Sequence, residues 1–362
     1  MKVYLQYPWK FPDSPYYKYL IDSPAKGIEY LNAEKQKGVI TSKRFFWFSN
    51  FLKRNIRRWA NKLNLKTPNI HLSPKRNYDL IHCAHCLSKN KDKPWIADIE
   101  MLSSFAISGL NTKIGKEKIR KVLMRKNCKK ILPWASSVEK EILKVYPELK
   151  NKIEVVYPAV PERKGINRKG NKRLSIIFIA RYFDIKGGLI ALEVLSKLIE
   201  KYHIKGIIVS DVSKELKEKY PNIEYYNLIP QKELFNLMNK SDIFLYPSSV
   251  DTFGFSLLEA MSFGLPTITI NTIHTKSRRE IIENGKNGFI FDVENILSYD
   301  KIGTNENIVI DKLVNNTSKL IEDNLLRERM SDECLRIIKE GKFSIKERNK
   351  KLKRIYLDVI QK

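Results

Sequence analysis

The chain has 362 residues, 43% of them hydrophobic, with 67 Lys and Arg against 40 Asp and Glu. That length allows two domains with cores of their own, and no run approaches the ~20 apolar residues of a membrane-spanning helix. The formal charge of +27 implies attraction to polyanions, whether nucleic acid, anionic lipid or phosphorylated ligands, without choosing among them. The four cysteines, Cys83, Cys86, Cys128 and Cys334, form no disulfide framework, which fits a reducing compartment. Pro8 and Pro12 interrupt any leader core at the start, so a cytoplasmic protein is expected.

In chain order, KVYLQYP (2–8) reads as a first strand. KRFFWFSNFLKRNIRRWANKLNLK (43–66) comes next as an amphipathic helix. Phe48, Phe51, Leu52, Ile56, Trp59 and Leu63 share one face, and Lys53, Arg54, Arg57, Arg58 and Lys62 take the other. Such a helix suits an anionic membrane surface, but packing on the N-terminal sheet is the preferred reading. YDLIHCAHCL (78–87) and PWIADIE (94–100) are two more strands. HCAHC, with His82 and His85, reads as a buried strand end rather than a metal knuckle, because no second Cys/His pair occurs at zinc-like spacing. CKKILPWA (128–135) and KIEVVYPAV (152–160) are β-runs around a helix, SSVEKEILKVY (136–146), which Ser136 or Ser137 can cap.

PERKGINRKGNKR (161–173) is polar and basic and reads as a linker. A second alternating series comes after it: strands in 173–181, 204–211, 223–228, 242–248, LPTITI and NGFIFD, with helices in 187–202 and 230–241. Alternation of this kind predicts an α/β fold with mostly parallel sheets in two Rossmann-like domains, 1–165 and 166–342. The tail, 343–362, is one amphipathic helix expected to pack back on the first domain.

Neither half carries G-x-G-x-x-G or a Walker A loop, which weighs against a dehydrogenase and a P-loop NTPase. In open α/β sheets ligands sit beyond the carboxyl ends of the strands. ARYFDIKGG puts Arg181 at such an end and Lys186 five residues on, before Gly187 and Gly188. Two cations on one short loop can hold a diphosphate. In DTFGFSLLEAMSFGLPTIT (251–269), Gly254 permits close backbone approach and the new helix favours an anion at its start. Glu259 lies more than a turn inside, where it can bond a ligand hydroxyl pair.

The segments FIARYFDIKGG, KSDIFLYPSS, DTFGFSLLEAMSFGLPTIT and REIIENGKNGFIFD, in this order over 173–293, resemble the phosphate loop, preceding strand, E-x7-E segment and closing segment of retaining family 4 glycosyltransferases. The resemblance implies a GT-B architecture, two Rossmann-like domains facing a central cleft, with the second binding a nucleotide-sugar donor. It implies that Arg181 and Lys186 grip the donor diphosphate, Glu259 the ribose hydroxyls and Asp251 the sugar. Backbone near Phe253, Gly254 and Phe255 would complete the phosphate cradle, and Ile229 joins the donor-binding set. His85, and after it His82, resembles the family's strand-end histidine of the acceptor-side N-terminal domain, where Asp98 and Glu100 are further candidates.

The resemblance further implies retaining hexosyl transfer from a UDP- or GDP-sugar to a glycan or lipid-linked acceptor. No D-x-D motif is present, and neither metal nor cofactor is expected beyond the donor. The enzyme would be cytoplasmic, peripheral on the inner membrane face if 43–66 binds lipid. The chain departs from the family pattern in three places. Asp251 replaces a Glu, IHTKSR replaces a Gly-rich turn, and YPWKFPDSPYY replaces a Gly-rich loop. The alternatives are a catalytically inactive GT-B relative and a basic protein binding nucleic acid or anionic surfaces. No nucleic-acid-binding module is present, and Lys186 and Glu259 are both retained.

Overall fold

The computed structural model describes residues 1–8, 15–33, 65–165, 173–294, 296–298, 301–302 and 306–361, and, between 33 and 65, residues 48, 51–52, 55–56, 58–60 and 62–63. The chain divides into two units, Met1–Ala159 with Ile345–Lys362, and Val160–Ser344. The division falls just ahead of the linker expected at 161–173, of which 166–172 lie outside the described residues.

The first unit is built on strands β1 (Lys2–Gln6), β2 (Glu29–Leu31), β3 (Leu80–Ala84), β4 (Trp95–Ile99) and β5 (Cys128–Pro133). All pair in parallel, in the order β2-β1-β3-β4-β5, one of the two common doubly wound orders. Every residue of β3 and β4 is buried, which is why both read as unbroken apolar runs rather than alternating ones. All four cysteines are buried and none is in a disulfide, and Gln6 Nε2 reaches Cys83 Sγ at 3.5 Å and Cys86 Sγ at 3.7 Å.

Three sequence expectations change here. The stretch YPWKFPDSPYY ends in a helix, Pro15–Asp22, with proline at the first helical position, where its missing N–H costs nothing. KIEVVYPAV does not form a strand. It bridges β5 only at Ile153, opposite Ile131, and continues through Val156 N–H to Pro133 O. Pro133 and Pro158 have no N–H to offer a ladder, so pairing stops there. The third change concerns 43–66, where, among the described residues, Ala60 is buried while Phe48, Phe51, Leu52, Ile56, Trp59 and Leu63 are exposed. Lys53, Arg54 and Arg57 lie outside the described residues.

The terminal helix, Ile345–Gln361, buries Arg348, Leu352, Ile355, Tyr356 and Val359, a helical stripe. Two of these are polar and fix its place in the first unit. Arg348 Nη2 donates to Ser23 O at 2.8 Å. The Tyr356 hydroxyl lies 2.7 Å from His82 Nδ1 and 3.0 Å from the Tyr30 hydroxyl. Among the described residues no helix is long and apolar enough to cross a membrane.

The second unit contains β6 (Ser175–Ile179), β7 (Lys205–Val209), β8 (Ile223–Tyr226), β9 (Ile243–Tyr246), β10 (Thr267–Asn271) and β11 (Gly288–Asp292). They too are all parallel, in the order β8-β7-β6-β9-β10-β11, the dinucleotide-fold order 3-2-1-4-5-6. Ile176, Phe178, Leu195, Ile208, Leu245, Ile268 and Leu313 belong to its core. The winding reverses between β6 and β9, and ligands of such sheets bind outside the strand ends at that switch point.

Candidate active site

Two loops leave the sheet at the switch point. After β6, Ala180–Gly187 leads into the helix Gly188–Lys201. After β9, Pro247–Gly254 leads into the helix Phe255–Ser262. Gly187 has φ +77, and a Cβ there would lie 2.6 Å from Pro247 O. Only glycine lets the two loops cross so closely. Gly254, at φ +113, turns the second loop into its helix. Neither helix has a side-chain cap on its first turn, so both present their positive dipole ends beside the strand ends.

Lys186 ties the loops together. Its Nζ donates to Val250 O at 2.8 Å and stands 3.5 Å from Asp251 Oδ1. The Asp251 carboxylate is met from other sides as well. The Tyr246 hydroxyl donates to Oδ2 at 3.0 Å, Thr252 N–H donates to Oδ1 at 2.9 Å, and Arg278 Nη2 lies 3.5 Å from Oδ2. Arg278 is wholly buried. Its Nη1 donates to Ser248 O at 2.5 Å and Ile270 O at 2.9 Å, and its guanidinium stands 5.0 Å from the centre of the Tyr246 ring. Burial pulls the Arg278 pKa down, with Asp251 opposing the shift. Burial, then the Asp251 charge, pushes the Tyr246 hydroxyl well up, so it remains a donor. A buried guanidinium needs a counterion and partners for its donors; Asp251 is the counterion and the two carbonyls take Nη1, while Nε and Nη2 make no hydrogen bond among the described residues.

Sequence reasoning named Asp251 but missed Tyr246 and Arg278. The segment IHTKSR, which stands where a Gly-rich turn was expected, does more than replace it. Its final residue is Arg278, in a buried position. Ser277 Oγ donates to Phe253 O at 3.1 Å, and the neighbouring Thr272 Oγ1 donates to Ser249 O at 2.8 Å. These contacts pin the Pro247–Gly254 loop from below.

The remaining donor-side candidates are distributed around this point. Arg181 is partly buried on the same loop as Lys186, and Glu259 is partly buried on the helix Phe255–Ser262. The Phe253 ring is buried, against Phe255 at 5.7 Å and Phe343 at 6.3 Å, so its backbone is what it can offer a ligand. Ile229 comes after β8, which β7 separates from β6, so it leaves the sheet two strands away from the loop of Lys186.

In the first unit, His85 comes directly after β3 with φ 55, a left-handed conformation that non-glycine residues adopt rarely, histidine more than most. Its N–H donates to Asp98 O at 3.1 Å, and its ring lies edge-on to Trp134 at 4.5 Å. Burial lowers its pKa, opposed first by the charge of Glu100, which is partly buried just past β4. His82 and Asp98 were expected on the acceptor side, but both are wholly buried. His82 Nε2 faces Asp98 Oδ2 at 2.8 Å, and its other nitrogen faces Tyr356. They serve the seat of the terminal helix, His82 through the Tyr356 hydroxyl and Asp98 through His82.

Residues 160–302 match the glycosyl transferases group 1 family. The group 1 match contains β6 through β11, both switch-point loops and Arg278, while His85 and Glu100 lie outside it. The chain is 30% identical, over 158 residues, to an uncharacterized 41.2 kDa protein in the cps region of Klebsiella pneumoniae, covering 40% of this chain and 43% of that one. It is 27% identical, over 203 residues, to the UDP-Gal:alpha-D-GlcNAc-diphosphoundecaprenol alpha-1,3-galactosyltransferase of Escherichia coli, covering 53% of this chain and 48% of that enzyme. The matches thus span less than half the length of either relative. The crystal structure of a glycosyltransferase from Rickettsia africae ESF-5 superposes with a TM-score of 0.64 at 16% identity, covering 99% of this chain and 98% of that one. That likeness establishes the fold as GT-B, with two Rossmann-like α/β units.

Proposed function

We propose that the chain is a retaining glycosyltransferase of family 4 type, moving a hexosyl unit from a UDP- or GDP-sugar to a glycan or lipid-linked acceptor on the cytoplasmic side. The observation that carries this reading is the convergence at one switch point of Lys186, the loop of Arg181 and two helix starts without side-chain caps. The named substrates of the Escherichia coli relative, a UDP-sugar and a diphosphoundecaprenol-linked acceptor, support the donor and acceptor classes.

In this reading the bond between the sugar C1 and the diphosphate oxygen breaks, and the acceptor oxygen bonds C1 on the same face. The acceptor proton passes to a phosphate oxygen of the leaving diphosphate, so no protein base is required. Lys186, Arg181 and the helix dipoles stabilise charge as it builds on the diphosphate, which is electrostatic catalysis. Glu259 holds the ribose. Asp251 acts chiefly through Lys186, whose ammonium it orients. Neither metal nor cofactor enters the scheme.

A thermal-shift panel of nucleoside diphosphates and their sugars tests the proposal. A ligand at a hundred times its Kd stabilises by about 2.7 kcal/mol. One nucleoside diphosphate is expected to raise Tm, and Lys186→Ala and Glu259→Ala are expected to abolish the rise. A flat response to every nucleotide overturns the reading, and inversion at C1 in the product, read by NMR, overturns the retaining mechanism.

A further inference from the structure

The helical segment preceding Leu65 carries its apolar face outward. Its small residue, Ala60, is 8% exposed, whereas Phe48, Phe51, Leu52, Ile56, Trp59 and Leu63 are 40–62% exposed. Single exposed leucines are ordinary, but six large apolar residues on one helical stripe mark a contact surface. Charge narrows the partner. Residues 43–66 hold eight Lys and Arg and no Asp or Glu. Arg58 and Lys62 are exposed, and Lys62 Nζ lies 5.3 Å from the centre of the Trp59 ring.

We propose that this face docks on an anionic lipid bilayer. Phe51, Leu52, Ile56, Trp59 and Leu63 enter the boundary between headgroups and acyl chains, and the cations meet lipid phosphates. Trp sits well at that boundary, and Lys and Arg reach back to the headgroups along their own aliphatic stems. An apolar stripe alone would suit a second copy of the chain equally. A second copy, however, brings its own Arg58 and Lys62 against these with no Asp or Glu in 43–66 to neutralise them, whereas anionic headgroups do so. The surface lies outside the region of the group 1 match, and the proposal does not rest on the transfer reaction.

Co-sedimentation of the full chain with vesicles tests it. Phosphatidylglycerol-containing vesicles are expected to bind the protein at low salt, more weakly at high salt, and pure phosphatidylcholine vesicles are not. The double variants Phe51→Ser with Trp59→Ser, and Arg58→Gln with Lys62→Gln, are each expected to lose about tenfold or more in vesicle affinity. All four positions are exposed and lie outside the unit that holds the switch-point loops, so both variants are expected to stay folded and to bind nucleotide as the parent chain does. Failure of the parent chain to bind phosphatidylglycerol vesicles overturns the proposal. So does unchanged binding by the Phe51/Trp59 variant, or a dimer seen by light scattering that this variant dissolves.

Discussion

Arg278 and Arg279 are neighbours with opposite fates. Arg279 is exposed and pairs with Asp292, its Nε 3.2 Å from Oδ1, while Arg278 is buried between Asp251, two carbonyls and the Tyr246 ring. In TKSRREII nothing local separates the two, because the distinction depends on which side of a single helical turn meets the sheet. Arg278→Met leaves Asp251 its contacts with Lys186, Tyr246 and Thr252 N–H but strips Ser248 O and Ile270 O of their buried donor, a loss of about 1–3 kcal/mol for an unsatisfied group. Urea unfolding should show that loss, and Arg278→Lys should recover only part of it, since an ammonium cannot reproduce the guanidinium fork. Native-like stability of Arg278→Met would contradict the network. Asp251 itself was legible as an acid at a strand end. Its shorter side chain takes on meaning only beside Arg278 and Lys186, which come from far along the chain.

At the scale of elements, β6 to β11 and the helices Gly188–Lys201 and Gln231–Asn239 track their sequence patterns closely, since each is defined by spacing within a few residues, whereas the helices Glu306–Glu322 and Asn324–Lys339 were not read from the sequence. The terminal helix shows both sides of that rule. Its amphipathic stripe is visible in the sequence, but the sheet it joins is decided by Arg348 reaching Ser23 and Tyr356 reaching His82 and Tyr30. Tyr356→Phe removes one partner from a buried imidazole, which costs about 1–3 kcal/mol. A matching fall in the urea midpoint is expected, and an unchanged midpoint would show that the hydroxyl does not anchor the helix. The same cluster accounts for the full burial of His82 and Asp98, both expected on the acceptor side. A histidine and an aspartate at strand ends look alike in sequence whether they face solvent or a returning helix.

The whole molecule adds a dependence on pH. Burial lowers the pKa of His85 and of His71 below the ordinary histidine value. The unfolded chain therefore binds more protons than the folded one once the pH drops below about 6.5. Their contribution is present in full above that value and is lost as pH falls toward the folded pKa values. Thermal unfolding measured from neutral pH downward should show a falling Tm, with a shallower slope in His85→Gln; an equal slope would remove His85 as the cause. Sequence alone determined the α/β class, the two alternating series and the placing of Arg181, Lys186 and Gly254 at strand ends, because these depend on periodicity and on residues a few positions apart. Only the tertiary structure decided the strand order that puts the switch point between β6 and β9, the pairing of Asp251 with Arg278, the burial of His82 and Asp98, and the exposure of Phe48, Ile56, Trp59 and Leu63. Those outcomes depend on which side of an element meets the core, and that is set by contacts between residues far apart in the chain.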